Sequence, residues 1–219
     1  MNLYSKLAAR AANQNPVTVG MIGGGKFGSM FLAQARLTTG LQIAAVIDLA
    51  PERARANLAA TGWAAEQYAA TSISDAFKTG GTYVGDDAAT MIASGGIDIV
   101  VDATGDPSAG IRHALLCCEH GKNVVMVNVE ADALAGPLLA RRAEEAGIIY
   151  SLAYGDQPAL ICEQVDWARA IGFKVVSAGK GTRYLPKFHQ STPDNVFDNY
   201  FVDAEVAKRG NMNPKMSTS

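Results

Sequence analysis

A glycine-rich turn between two apolar segments constrains this chain more than any other feature. Residues 17–22 have the length and β-branched content of a short buried strand, and residues 29–36 continue as a helix. Between them stands Gly23-Gly24-Gly25-Lys26-Phe27-Gly28, with its glycines in G-x-G-x-x-G register. Gly23 permits the tight turn, Gly25 lets a ligand approach the backbone, and Gly28 allows close packing of helix on strand. The amides of the helix start, around Lys26 and Phe27, carry a partial positive charge suited to a pyrophosphate. A second apolar run, residues 42–47, ends in Asp48, twenty positions after Gly28. A carboxylate there is placed to accept hydrogen bonds from the hydroxyls of an adenosine ribose. The pattern predicts a dinucleotide-binding half of Rossmann type.

The rest of the chain extends that pattern. Apolar runs alternate with helical patterns to about residue 180 of 219, as in a doubly wound, mainly parallel α/β sheet. The spacing predicts helices from Pro51, over 74–78, 86–93, 108–120, 131–146 and 156–171. It predicts strands at 83–84, 97–103, 123–127, 148–152 and 173–179. Residues 1–16 read as an amphipathic helix leading into the first strand, and residues 17–155 as the NAD(P)-binding Rossmann domain. Residues 156–219 read as the start of an α+β substrate domain with an irregular tail. Beyond residue 183 the periodicity fades, as in a lid, a binding loop or a tail.

Composition excludes several partners. A net charge of −2 leaves no basic footprint for nucleic acid or an anionic membrane. No apolar run approaches the roughly eighteen residues of a spanning helix, and the N-terminus lacks a secretory pattern. The three cysteines make neither a disulfide framework nor a zinc spacing, so a cytoplasmic location is expected.

Ligands of such sheets collect beyond the carboxyl ends of the strands, which here carry Thr104-Gly105-Asp106, Asn128-Val129-Glu130 and Tyr154-Gly155-Asp156-Gln157. Thr104, Gly105 and Asn128 are expected on the nicotinamide half of the cofactor, although Asp106 and Asp156 fit helix caps equally well. Glu130 and Asp156 are candidates for acid–base work or for a divalent metal. Lys180 is the candidate to polarise a carbonyl or deliver a proton. Lys187 and His189 read as loop residues, His113 and His120 as solvent-facing or capping, and Cys117 and Cys118 as packing residues. Asp48 argues for NAD, whereas Arg53 or Arg55 just beyond it could hold a 2′-phosphate.

Read together, residues 23–31, 102–107, 121–130 and 154–159 make the chain resemble the homoserine-dehydrogenase-like NAD(P)-dependent oxidoreductases. Within that family it looks like the branch of deoxyxylulose-phosphate-reductoisomerase-like enzymes and proteins with an appended SAF domain. The resemblance runs from Leu3 to Met216. It implies hydride transfer with a small polar, in some members phosphorylated, hydroxy or carbonyl substrate. It also implies NADP(H) as the usual carrier, tipping the cofactor choice to NADP, a divalent metal in the reductoisomerase-like members, and a homo-oligomer. Homoserine dehydrogenases proper carry an Asn-Lys pair after the fifth strand, where this chain has Asn128-Val129. Family members continue well past Met216, so the expectation is a C-terminally truncated chain. The alternative is a dinucleotide-binding module without catalysis.

Overall fold

The structure, a computed structural model, describes residues 2–153, 157–179 and 185–200. Six strands, β1 (Val17–Ile22), β2 (Leu41–Ile47), β3 (Tyr83–Gly85), β4 (Ile99–Asp102), β5 (Asn123–Met126) and β6 (Tyr150–Leu152), form one sheet. Their order is β3-β2-β1-β4-β5-β6 and every neighbouring pair is parallel. Chain direction across the sheet switches between β1 and β4, which opens a crevice at their carboxyl ends. This is a Rossmann-type α/β fold.

The sheet holds together because its strands are apolar on both faces. Val100 packs into one core layer with Ala44, Met91, Cys117, Val124 and Leu139, whereas the next residue, Val101, packs into the other with Met21, Leu32, Val46 and Leu58. That division follows the two-residue period of a strand. Helices α2 (Lys26–Ala35) and α3 (Pro51–Ala60) cover the second layer. The first is covered by α4 (Ile73–Thr79), α5 (Ala88–Ala93), α6 (Pro107–Glu119) and α7 (Val129–Glu145). Met21, Leu58, Met91, Met126 and Leu139 are fully buried, each stabilising the domain by roughly 1.5–3 kcal/mol.

Local signals set the helix ends. Asp87 caps α5 by accepting from the Thr90 amide, and Asp106 caps α6 by accepting from the Ala109 amide. Gly121 and Gly147, both at positive φ, follow α6 and α7 as expected. The N-terminal helix α1 (Leu3–Ala12) forms, with none of its residues fully buried.

Two expectations are corrected. Helix α7 begins at Val129 rather than 131, because the Asn128 side chain caps it and draws Glu130 into its first turn. Residues 173–179 form no strand: they pair with no described strand, and Phe173 and Val176 are exposed. An alternating apolar sequence is not a strand until a neighbour supplies the ladder.

The chain divides into two compact units, Met1–Trp167 and Ala168–Ser219. In the second, described elements are the end of α8 (Gln157–Ala170), a 3-10 turn at Pro186–Gln190 and α9 (Val196–Tyr200). No described helix is long and apolar enough to cross a membrane.

Candidate functional site

At the carboxyl ends of β1, β2 and β4 lies a cavity of about 400 Å³. Its lining includes Gly23, Asp48, Arg53, Thr104, Asp106 and His113. Four of these, Gly23, Asp48, Arg53 and Thr104, are residues the sequence marked for cofactor binding.

The glycine turn is built by exclusion. Gly23 has φ +97°, and a Cβ there would stand 2.6 Å from the Ala103 carbonyl oxygen. A Cβ on Gly28 would collide with the Gly23 carbonyl oxygen and press Met21 Cε at 3.1 Å. Gly25 differs: a Cβ there meets nothing within 4 Å. It opens onto the start of α2, where no side chain caps the helix and the amides of Phe27 and Gly28 lie in the first turn. Lys26 and Phe27 are exposed beside it. An open cradle at an uncapped helix N-terminus fits a pyrophosphate.

Asp48 is nearly buried and already engaged. Its Oδ2 accepts from the Gly24 amide at 2.8 Å, and its Oδ1 accepts from the Ala50 amide and from Arg53 Nη2, each at 2.8 Å. The carboxylate therefore braces the glycine turn and keeps limited acceptor capacity for a ribose. Arg53, with a side chain 57% exposed, is the exposed member of that ion pair. Asn57 on α3 completes the brace by donating to the Gly24 carbonyl at 2.7 Å.

On the other side of the crevice the organising group is Asp102, the fully buried last residue of β4. Its Oδ1 accepts from the Thr104 amide at 3.1 Å and from the Thr104 hydroxyl at 2.8 Å. Its Oδ2 lies 2.6 Å from His113 Nδ1. Burial pushes the Asp102 carboxyl up, but the bonds from His113 and Thr104 outweigh it and hold the group below the usual carboxylate value.

Asn128 stands in the same network. Its Nδ2 donates to the Asp106 carbonyl at 2.7 Å, to Thr104 Oγ1 at 3.0 Å and toward Asp102 Oδ1 at 3.4 Å, while its Oδ1 accepts from the Ala131 amide at 3.1 Å. With 1% exposure it shapes the β4 loop and starts α7. Gly105, at φ +68°, turns the loop between Thr104 and Asp106.

Of the proposed catalytic residues, Glu130 lies among the described residues. Glu130 sits in the first turn of α7, where its charge suits the helix dipole, and it does not line the cavity. Asp156 and Lys180 lie outside the described residues. Lys187 and His189 are exposed on the 3-10 turn, with Lys187 Nζ 6.0 Å from the Phe188 ring centre. Among the described residues no three His, Cys, Asp or Glu side chains gather as metal ligands.

Sequence reasoning missed His113, Asp102 and Asn57. His113 does not face solvent: it is tied to Asp102, lines the cavity, and its side chain is 13% exposed. The signal was present, because an aspartate ending an otherwise apolar strand needs a buried partner. Cys117 packs in the core as expected, and burial pushes its thiol up to about 12.

Comparison with known proteins agrees with this geometry. Residues 17–127 match the oxidoreductase family with an NAD-binding Rossmann fold, and the chain belongs to that family. Residues 155–219 match the catalytic domain of the oxidoreductase DRL. No curated protein matches the chain. Among solved structures, it is similar to an NAD binding oxidoreductase from Klebsiella pneumoniae, with 17% identity and a TM-score of 0.48 over 72% of this chain and 39% of that one. A homoserine dehydrogenase from Thiobacillus denitrificans is 19% identical with a TM-score of 0.48, over 63% of this chain and 29% of that one. The biliverdin reductase of Synechocystis, solved with biliverdin and NADP+, is 21% identical with a TM-score of 0.43, over 64% and 38%. The chain thus spans well under half the length of these structures.

Proposed function

We propose that this chain binds NADP(H) and forms the cofactor-binding part of an oxidoreductase or reductoisomerase acting on a small polar hydroxy or carbonyl compound. The observation that carries the reading is the open cradle at Gly25, set between the Asp48–Arg53 pair and the Thr104 loop. When bound, the cofactor supplies or accepts the hydride. The α2 amides bind its pyrophosphate, the remaining lone pair of Asp48 accepts from the adenosine ribose, and Arg53 swings from Asp48 to a 2′-phosphate. Thr104 and Gly105 border the nicotinamide side, with Asn128 holding their loop. Lys180 remains our candidate for handling the proton, and Glu130 and Asp156 our acid–base candidates. A phosphorylated form of that substrate belongs to this proposal, as do the divalent metal and the homo-oligomer implied by the resemblance.

The test is a fluorescence titration with NADPH and with NADH, on the wild-type chain and on Arg53→Ala. Saturable binding with NADPH tighter is expected, and removal of the guanidinium should weaken NADPH about tenfold while leaving NADH nearly unchanged. Binding of neither cofactor overturns the reading. Tighter NADH, unaffected by the substitution, overturns the choice of NADP.

A further inference from the structure

His113 has a chemistry that the cofactor reading does not use. It sits on α6 with its Nδ1 2.6 Å from Asp102 Oδ2, and its ring lines the cavity also bordered by Asp48, Leu49, Ala88 and Ala109. An ionised, fully buried carboxylate can only accept, so the neutral ring must place its proton on Nδ1. Its Nε2 is then a hydrogen-bond acceptor, and no described residue bonds it. A nitrogen with an available lone pair, on a ring fixed in orientation at a cavity wall, is set to accept from a donor on whatever enters. The other charged groups of that wall, Asp86, Asp106 and Arg112, are exposed and hydrated. They discriminate less than a group shielded from water.

The rest of the lining indicates what that donor is. Asp48, the ribose acceptor of the proposed function, lines the same cavity as His113. Leu49, Ala88 and Ala109 line it too and offer apolar side chains to a flat ring. A purine placed there presents one strong donor, the exocyclic 6-amino group of adenine. We infer that the Asp102–His113 pair reads the base of the bound dinucleotide, with His113 Nε2 accepting from the adenine 6-amino group and so selecting adenine over a 6-oxopurine. This rests on the proposed cofactor site. It assigns Asp102 as the positioning residue that sets the tautomer, and His113 as the residue that touches the ligand.

The test compares reduced nicotinamide adenine dinucleotide phosphate with its hypoxanthine analogue, in which the 6-amino donor becomes an oxo acceptor. Titrations at mildly alkaline pH are expected to show the adenine form tighter by about tenfold, the worth of one well-placed hydrogen bond and the repulsion that replaces it. His113→Phe keeps an aromatic ring and should bring the two affinities level. Equal binding of both forms by the wild-type protein, or undiminished discrimination by the variant, overturns the inference while the cofactor site stands. Binding of neither form overturns the cofactor reading itself, and the inference with it. Should the variant fail to fold, the nitrogen-15 spectrum of wild-type imidazole decides. Addition of the adenine form should shift the His113 Nε2 resonance and the hypoxanthine form should not; equal shifts, or none, overturn the assignment.

Discussion

Alanine at Gly25 and alanine at Gly23 should fail in different ways, although the positions lie two residues apart. At Gly23 the new Cβ would meet the Ala103 carbonyl oxygen at 2.6 Å and carbonyl carbon at 2.7 Å, below any normal contact. Both are backbone atoms of a segment held by the bond from the Ala103 amide to the Ile22 carbonyl at 2.8 Å, so the neighbour cannot yield cheaply. The φ of +97° adds backbone strain. Strain costs about 2 kcal/mol and overpacking about 2 kcal/mol, offset by about 0.7 kcal/mol of lost unfolded-chain entropy. The net destabilisation is about 3 kcal/mol, or roughly a 10 °C fall in melting temperature for a unit of this size. At Gly25, φ is −71° and the methyl projects into open space, so stability should change by under about 0.5 kcal/mol. On the proposed reading the same methyl would stand in the path of the pyrophosphate. Displacing two charge-assisted amide bonds costs about 2–3 kcal/mol, a loss of roughly 30-fold or more in NADPH affinity. Thermal unfolding by circular dichroism, paired with NADPH titration, measures both numbers. Equal destabilisation by the two variants would refute the geometry of the turn, and undiminished affinity of Gly25→Ala would refute the cradle.

Other substitutions probe the opposite wall. Asn128→Ala removes a cap worth about 1 kcal/mol and strips the Asp106 carbonyl of its donor, so urea unfolding should show a loss of roughly 3 kcal/mol. Asp102 sits below its unfolded carboxyl value, so its contribution is whole above about pH 4 and is lost as pH falls through the still lower native value. The stability gap between wild type and Asp102→Asn should therefore close only below about pH 4; a gap already closing near pH 6 would contradict this. Thiol titration at pH 8 should label exposed Cys162 first, whereas Cys117 should react only as the protein unfolds.

The elements that organise the fold were legible because they depend on local rules. The turn at residues 23–28 and the Asp48 strand end follow from spacing and backbone chemistry, and the structure bears them out. The residues that finish the site depend on contacts distant in sequence. Asn57 reaches the Gly24 carbonyl across thirty-three positions, and Asn128 reaches Asp106 across twenty-two. His113 was misread because it lies eleven residues from its partner, with a turn and a helix start between them. Nothing in α6 alone shows which face a buried carboxylate will claim. Residues 173–179 mislead for the reverse reason: their alternation is local, and the pairing that makes a strand is not.

The two walls of the cavity differ in how freely they can change over evolutionary time. On the β2 side, Arg53 hangs from Asp48 by an exposed side chain, so replacing it leaves the buried bonds of Asp48 to Gly24 and Ala50 intact. On the β4 side, Asp102, Thr104, His113 and Asn128 each satisfy another member of the group, and losing one strands a polar atom in the interior. Lineages descending from this chain can therefore exchange position 53 singly without disturbing the fold, whereas the β4 quartet must be inherited as a block or replaced as one.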